Sequence, residues 1–235
     1  MFAISPRLRR IAGLIRPGDR IWDVGTDHAK LPVWLIKNGI IGFAAASDIR
    51  SGPLESARRN AEVHLVSDRI RFILCDGLSG GGAEMADTII IAGMGGETIA
   101  EILKNALWTA EEGIRLILQP MTASAELRKF LFMGDYTVKA EYIACEREKS
   151  YLIIEAVGGG TAEGFTFAEL QAGKAGSMSA DNSPQDLKRH VSAALSRLGK
   201  ALYGAGVERD APKMKLLEEA IKEIKDRYGY LEGHI

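Results

Sequence analysis

A chain of 235 residues with 46% apolar and 26% charged side chains can bury the core of one large globular domain with an appendage, which excludes collagenous, low-complexity and disordered classes. Thirty basic against 31 acidic residues leave a net charge of -1, so any contact with nucleic acid must use a local patch rather than bulk charge. Cys75 and Cys145 lie far apart, which argues against a disulfide scaffold or metal site and fits inert thiols in a reducing cytoplasm, and the apolar run 11–15 is too short for a signal peptide or membrane span.

From residue 20 the chain alternates short, nearly all-apolar runs with longer stretches of helical period. The runs 20–24, 43–47, 70–75, 88–92 and 114–118 predict five strands buried on both faces. The stretches 28–38, 53–65, 97–107 and 124–132 predict the crossover helices between and after them, giving an α/β, Rossmann-like parallel sheet. Two further strands, 137–145 and 151–157, are separated only by the charged stretch 146–150, which predicts an antiparallel hairpin and brings the sheet to seven strands.

Beyond the hairpin the pattern changes. The Gly-, Ala- and Ser-rich stretch 158–182 has little periodicity and predicts a linker without regular structure. Leu187, Val191, Ala194, Leu198 and Leu202, then Met214, Leu217, Ile221, Ile224 and Tyr228, repeat at spacings of three and four. They predict two helices paired across a turn at 204–210, with Pro184 and Pro212 near their starts. The expected organisation is a ligand-binding domain over 1–160, a linker over 161–183 and a helical hairpin over 184–235.

Open parallel sheets bind ligands at the carboxyl ends of their strands. Here the ends read Asp23-Val24-Gly25-Thr26-Asp27-His28, Asp48-Ile49, Asp76-Gly77, Ala92-Gly93-Met94-Gly95-Gly96 and Gln119-Pro120. A carboxylate after the second strand can accept both hydroxyls of a ribose, which suits Asp48, and one after the third can take an adenine amino group, which suits Asp76. Gly25 would let a ligand approach the backbone. The residues around Gly25 lack the other glycines of a dinucleotide fingerprint, and carboxylates there would repel a pyrophosphate. A cationic nucleoside cofactor, S-adenosylmethionine, matches acidic strand ends better, with Asp23 or Asp27 facing its charges. Taken singly, each aspartate also suits a helix N-cap. The Gly93–Gly96 cluster suits either a tight turn or room for a base.

The segments Asp23-Val-Gly-Thr-Asp-His-Ala-Lys-Leu-Pro32, Asp76-Gly-Leu78, Ile91-Ala-Gly-Met-Gly-Gly96 and Leu116-Ile-Leu-Gln-Pro120 resemble the bacterial tRNA (adenine(22)-N1)-methyltransferase family. Supporting pieces are Arg7-Leu-Arg-Arg-Ile-Ala12, Gly52-Pro-Leu-Glu-Ser-Ala-Arg-Arg-Asn60 and Glu146-Arg-Glu-Lys-Ser-Tyr-Leu-Ile-Ile154, so the likeness runs from about residue 5 to 157. The tail resembles that family's coiled-coil C-terminal domain in layout. The resemblance implies methyl transfer from S-adenosylmethionine to N1 of a tRNA adenine, with Asp27 at the position of the family's catalytic aspartate. Asp23, Gly25, His28, Asp48, Ile49, Asp76, Gly77, Ala92, Gly93 and Met94 are the candidates for the cofactor. Arg7, Arg10, Pro32, Gln119 and Pro120 are the candidates for substrate. The N-terminal arginines, five against Asp19 alone in the first twenty residues, offer phosphate contacts or a plain solvated surface. No metal is expected. Two other readings remain: a methyltransferase for a small molecule or protein, and a non-catalytic RNA-binding module on the same fold.

Overall fold

The computed structural model describes residues 3–174 and 176–233. Its centre is a seven-stranded sheet in the spatial order β3-β2-β1-β4-β5-β7-β6. Strands β1 (Ile21–Val24), β2 (Ala44–Asp48), β3 (Ile70–Leu74), β4 (Thr88–Gly95) and β5 (Arg115–Thr122) run parallel. Strands β6 (Tyr136–Glu146) and β7 (Lys149–Gly158) form the expected hairpin, with β7 antiparallel to β5. The two-residue turn between them places Arg147 in the left-handed region, with φ of 55°.

The apolar runs of the central strands follow from burial on both faces. Alternate residues serve opposite cores: Ile90, with Ile21, Ala44 and Ala46, packs with α1 (Pro6–Ala12), α2 (Lys30–Lys37) and α3 (Ser51–Val63). Ile89 and Ile91, with Trp22 and Leu116, pack with α4 (Gly96–Lys104) and α5 (Ser124–Met133). Order reverses between β1 and β4, which opens a crevice at their carboxyl ends.

Several boundaries differ from the sequence expectation for identifiable reasons. The first crossover helix starts at Lys30 rather than residue 28, because His28 and Ala29 hold left-handed backbone. Strands β4 and β5 run on to Gly95 and Thr122, their pairing kept by register shifts around Met94. Helix α1 was not among the expected elements, although Ser5 caps it and Pro6 occupies its first turn.

The stretch 158–182 is where the expectation of an irregular linker is corrected. It contains α6 (Phe167–Ala172), started by a capping box in which Thr166 and Glu169 bond reciprocally. Beyond α6 the chain covers the sheet's open edge at β6: Glu141 N donates to Ser177 O at 2.6 Å and Ser179 N to Glu141 O at 2.9 Å. Asn182 extends that seam with its side chain, accepting from Ile143 N at 2.7 Å and donating to Glu141 O at 2.9 Å. The edge's unpaired backbone groups thus order a segment that has no periodicity of its own.

Helices α7 (Pro184–Glu208) and α8 (Ala211–Tyr228) pack their apolar stripes together and against α6. The turn expected at 204–210 narrows to Arg209 and Asp210. Helix α7 continues through Gly204 and Gly206 because Ala205 between them is fully buried, and Arg209 ends it at φ of 58°. Underneath, the Arg128 guanidinium of α5 grips the Glu141 carboxylate through two bonds of 2.8 and 2.9 Å, both side chains wholly buried, and donates a third to Leu170 O at 2.8 Å.

Candidate active site

After β1 the chain must turn sharply. Gly25 does so at φ of 69°, and the N–H groups of Gly25 and Thr26 both donate to Ser47 O of β2, at 2.8 and 2.9 Å. A Cβ at position 25 would lie 2.1 Å from the Met94 methyl carbon, which a flexible side chain can vacate, so it is the left-handed backbone that calls for glycine here. Two residues earlier in the motif, Asp23 is buried and accepts a 2.5 Å hydrogen bond from Thr26 Oγ1. Burial pushes its carboxyl up to about 6, against the opposing pull of the Thr26 hydroxyl and the Arg7 charge.

Around this turn the carboxyl ends of β1 to β4 and one face of α4 enclose a cavity of about 750 Å³, within the range of small-molecule sites. Gly25, Asp27, Asp48, Ile49, Asp76, Gly77, Ala92, Gly93 and Met94 line it together. Asp48 is buried, and its Oδ1 accepts from Arg50 N at 2.9 Å with the Arg50 Nε 3.8 Å away. Its Oδ2 accepts no hydrogen bond among those made by the described residues. A buried carboxylate with a free oxygen at the edge of a cavity suits a ligand that brings hydroxyl donors. The residues present therefore fit the ribose of S-adenosylmethionine.

Asp27 projects into the same space with 72% of its side chain exposed, its Oδ1 3.4 Å from His28 Nε2. His28 and Asp23, also expected at the cofactor, are not among the residues that line the cavity. Arg7 of α1 reaches across the end of the sheet: its guanidinium donates to Gln119 Oε1 and lies 5.7 Å from the Tyr151 ring centre. Gln119 is wholly buried and also donates to Pro120 O at 2.9 Å. A Cβ on Gly93, where φ is 85°, would come within 3.6 Å of Arg7 Nη1, so Arg7, Gln119 and Gly93 meet at one corner of the mouth.

Two substrate candidates lie elsewhere. Pro32 is buried within α2. Arg10, one turn beyond Arg7, stacks 4.9 Å over the Tyr142 ring and lines a separate open groove with Arg9, Cys145 and Ser183. The structure also adds residues that sequence reasoning missed. Cys75, read as inert, lines the cavity, as do Leu78, Arg50 and the α4 face of Thr98, Glu101, Ile102 and Asn105. Their spacing of three, four and seven was legible as one helical face, and only its orientation was hidden. Both thiols are free, and burial pushes Cys145 up to about 11. Among the described residues no cluster of three or more His, Cys, Asp or Glu could hold a metal, and no helix is long and apolar enough to cross a membrane.

Comparison with known proteins agrees with this geometry. Residues 4–154 match the family model of a methyltransferase domain. Over 170 residues the chain is 35% identical to the tRNA (adenine(22)-N(1))-methyltransferase of Bacillus subtilis, covering 72% of this chain and 71% of that protein. A solved structure from Streptococcus pneumoniae, proposed to be a tRNA (m1A22) methyltransferase, superposes with a TM-score of 0.81 at 30% identity over 96% of this chain and 100% of that one. The Mycoplasma relative TrmK of M. capricolum, solved with the cofactor product S-adenosyl-homocysteine, gives 0.73 at 28% identity over 97% and 98% of the two chains.

Proposed function

This chain belongs to the tRNA (adenine(22)-N(1))-methyltransferase family, and from that membership we propose how its own residues move a methyl group from S-adenosylmethionine to N1 of a tRNA adenine. The observation that carries the reading is the cavity at the ends of β1 to β4, with the Asp48 carboxylate opening onto one part and Asp27 onto another. When bound, S-adenosylmethionine supplies an electrophilic methyl group on a sulfonium.

Asp48 would accept the ribose hydroxyls through its free oxygen, Asp76 and Gly77 would meet the adenine, and Gly25 would let the ligand lie against the backbone. Asp23, buried and bonded to Thr26, would brace that turn from behind. Ala92, Gly93 and Met94 leave the base side of the cavity free of bulky polar groups. N1 of adenine carries an in-plane lone pair and needs no base to become nucleophilic, but methylation leaves the ring cationic. Asp27 would accept a hydrogen bond from the 6-amino group and stabilise that developing charge, an electrostatic role rather than proton transfer. Arg7, fixed by Gln119 and Tyr151 beside Gly93, would contact the nucleotide that presents the base. N1 lies on the pairing edge, so the base must leave its partner before it can enter. A tRNA substrate and two free thiols fit the cytoplasm.

The test is transfer of label from S-adenosylmethionine to unmodified bacterial tRNA, with the product nucleoside identified by mass spectrometry. Label in 1-methyladenosine is the expected result. Cofactor binding with label only in another nucleoside, or in none, would overturn the reading.

A further inference from the structure

The chain between β1 and α2 passes through two consecutive left-handed residues, neither of them glycine: His28 (φ 57°, ψ 4°) and Ala29 (φ 46°, ψ 35°). Residues with a Cβ adopt this backbone rarely, and a run of two persists only where the surroundings over-determine it. On the inner side the restraint is plain: Ala29 is fully buried and its N–H donates to Thr26 O at 2.9 Å. On the outer side it comes from a different helix. Asn60, in the last turns of α3, donates from Nδ2 to the His28 carbonyl oxygen at 2.7 Å.

Asn60 closes the Gly52–Asn60 segment, which the cofactor-binding reading leaves without a task. It is not among the residues that line the cavity, so its side chain meets neither the space for the cofactor nor that for the base. We infer that Asn60 is a positioning residue for methyl transfer: by holding the His28–Ala29 peptide in its left-handed form, it aims the preceding Asp27 carboxylate into the cavity. The inference rests on the assignment of Asp27 to the target base. Without the bond from Asn60 the peptide is free to rotate toward an ordinary conformation. Asp27 then swings away from its aim, and a displacement of about 1 Å at a reacting centre costs on the order of 100-fold in rate.

The chemistry of the contact allows a sharp test. Asn60→Ala removes the donor, whereas Asn60→Asp keeps the size and shape and turns the N–H toward His28 O into an oxygen. In the full-length protein both variants are expected to lose about 10- to 100-fold in kcat on tRNA. Asn60→Asp should be at least as slow as Asn60→Ala, while the Kd for S-adenosylmethionine and the KM for tRNA stay within about threefold. The amide of Ala29, followed by ¹⁵N NMR on the free protein, should shift in both variants. That second readout needs no tRNA activity, so a wild-type protein that makes no 1-methyladenosine would sink the functional reading while leaving the role of Asn60 to be decided by the Ala29 amide. An Asn60→Asp variant with wild-type kcat, an unmoved Ala29 amide, or cofactor affinity that falls in step with kcat would each overturn the inference.

Discussion

At the carboxyl ends of the strands the backbone departs from regular forms and polar groups are left open. Gly25, His28, Ala29, Gly77 and Gly93 all have positive φ, Asp27 is mostly exposed, and Asp48 keeps an oxygen free. The seam that joins the sheet to α6, α7 and α8 is built the other way. There Arg128 spends three N–H groups on Glu141 and Leu170 O, Asn182 uses both ends of its amide on β6, and Arg227 bonds Gly173 O and Glu223. Both regions are rich in polar side chains, and for the groups just named the difference is saturation, the buried His190 Nε2 on α7 being a seam atom that lacks a partner among the described residues. A polar group whose partners are all supplied by the fold holds the fold together, whereas one left open at a concave surface waits for a ligand.

The hardest way to break that contrast is at the seam. Glu141→Ala would leave the Arg128 guanidinium buried without its partner, at a cost of about 3–5 kcal/mol. The urea midpoint should drop sharply, with cofactor affinity at the far end of the sheet little changed. A midpoint within experimental error of wild type would show that the seam is not structural.

Titration sharpens the contrast because the two regions respond with opposite sign. Asp23 is held at about 6 in the folded protein against 3.8 for a free side chain, so between those values the folded state keeps a proton that the unfolded chain has lost. Its contribution therefore falls as pH rises from about 4 to 6, by about 3 kcal/mol. His190 on α7 is buried, near Arg128 and Arg197, and pushed down to about 3. There the unfolded chain takes up the proton first, and stability is lost as pH falls from about 6.5 toward 3. Unfolding curves from pH 4 to 7 should show the gap between wild type and Asp23→Asn widening toward neutral pH. The gap between wild type and His190→Leu should widen toward acid. Parallel curves for either pair would refute the assignment. The smallest effect expected is that of Asn182→Ala, which removes two bonds to the β6 edge at about 1–2 kcal/mol, read as a modest loss in midpoint and faster exchange of the Ile143 amide.

The same contrast explains what was legible in the sequence. Strands buried on both faces advertise themselves as apolar runs such as Ile89-Ile90-Ile91, and the acidic residues and glycines that end them mark the cavity by position alone. What failed to show was whatever depends on long-range contact. Arg128 on an amphipathic helix looks like any solvated arginine, and its partner Glu141 belongs to a different element. The ordering of 177–182 comes from the unpaired edge of β6, not from its own residues. The α4 face of Thr98, Glu101, Ile102 and Asn105 was periodic, but periodicity does not say which polar face meets a cavity. Two left-handed residues at His28 and Ala29 carried no glycine to announce them. Pro32 shares its motif with residues of the cavity, yet it is buried within α2.

Central to the proposed mechanism is that Asp27 serves the base rather than the cofactor. The direct test is Asp27→Asn, measured for S-adenosylmethionine affinity by calorimetry and for 1-methyladenosine formation on unmodified tRNA in the same preparation. Cofactor affinity is expected within about twofold of wild type and the rate lower by about 100-fold, the scale of losing one preorganised electrostatic contact in a transition state. Wild-type turnover with intact cofactor binding would contradict that mechanism.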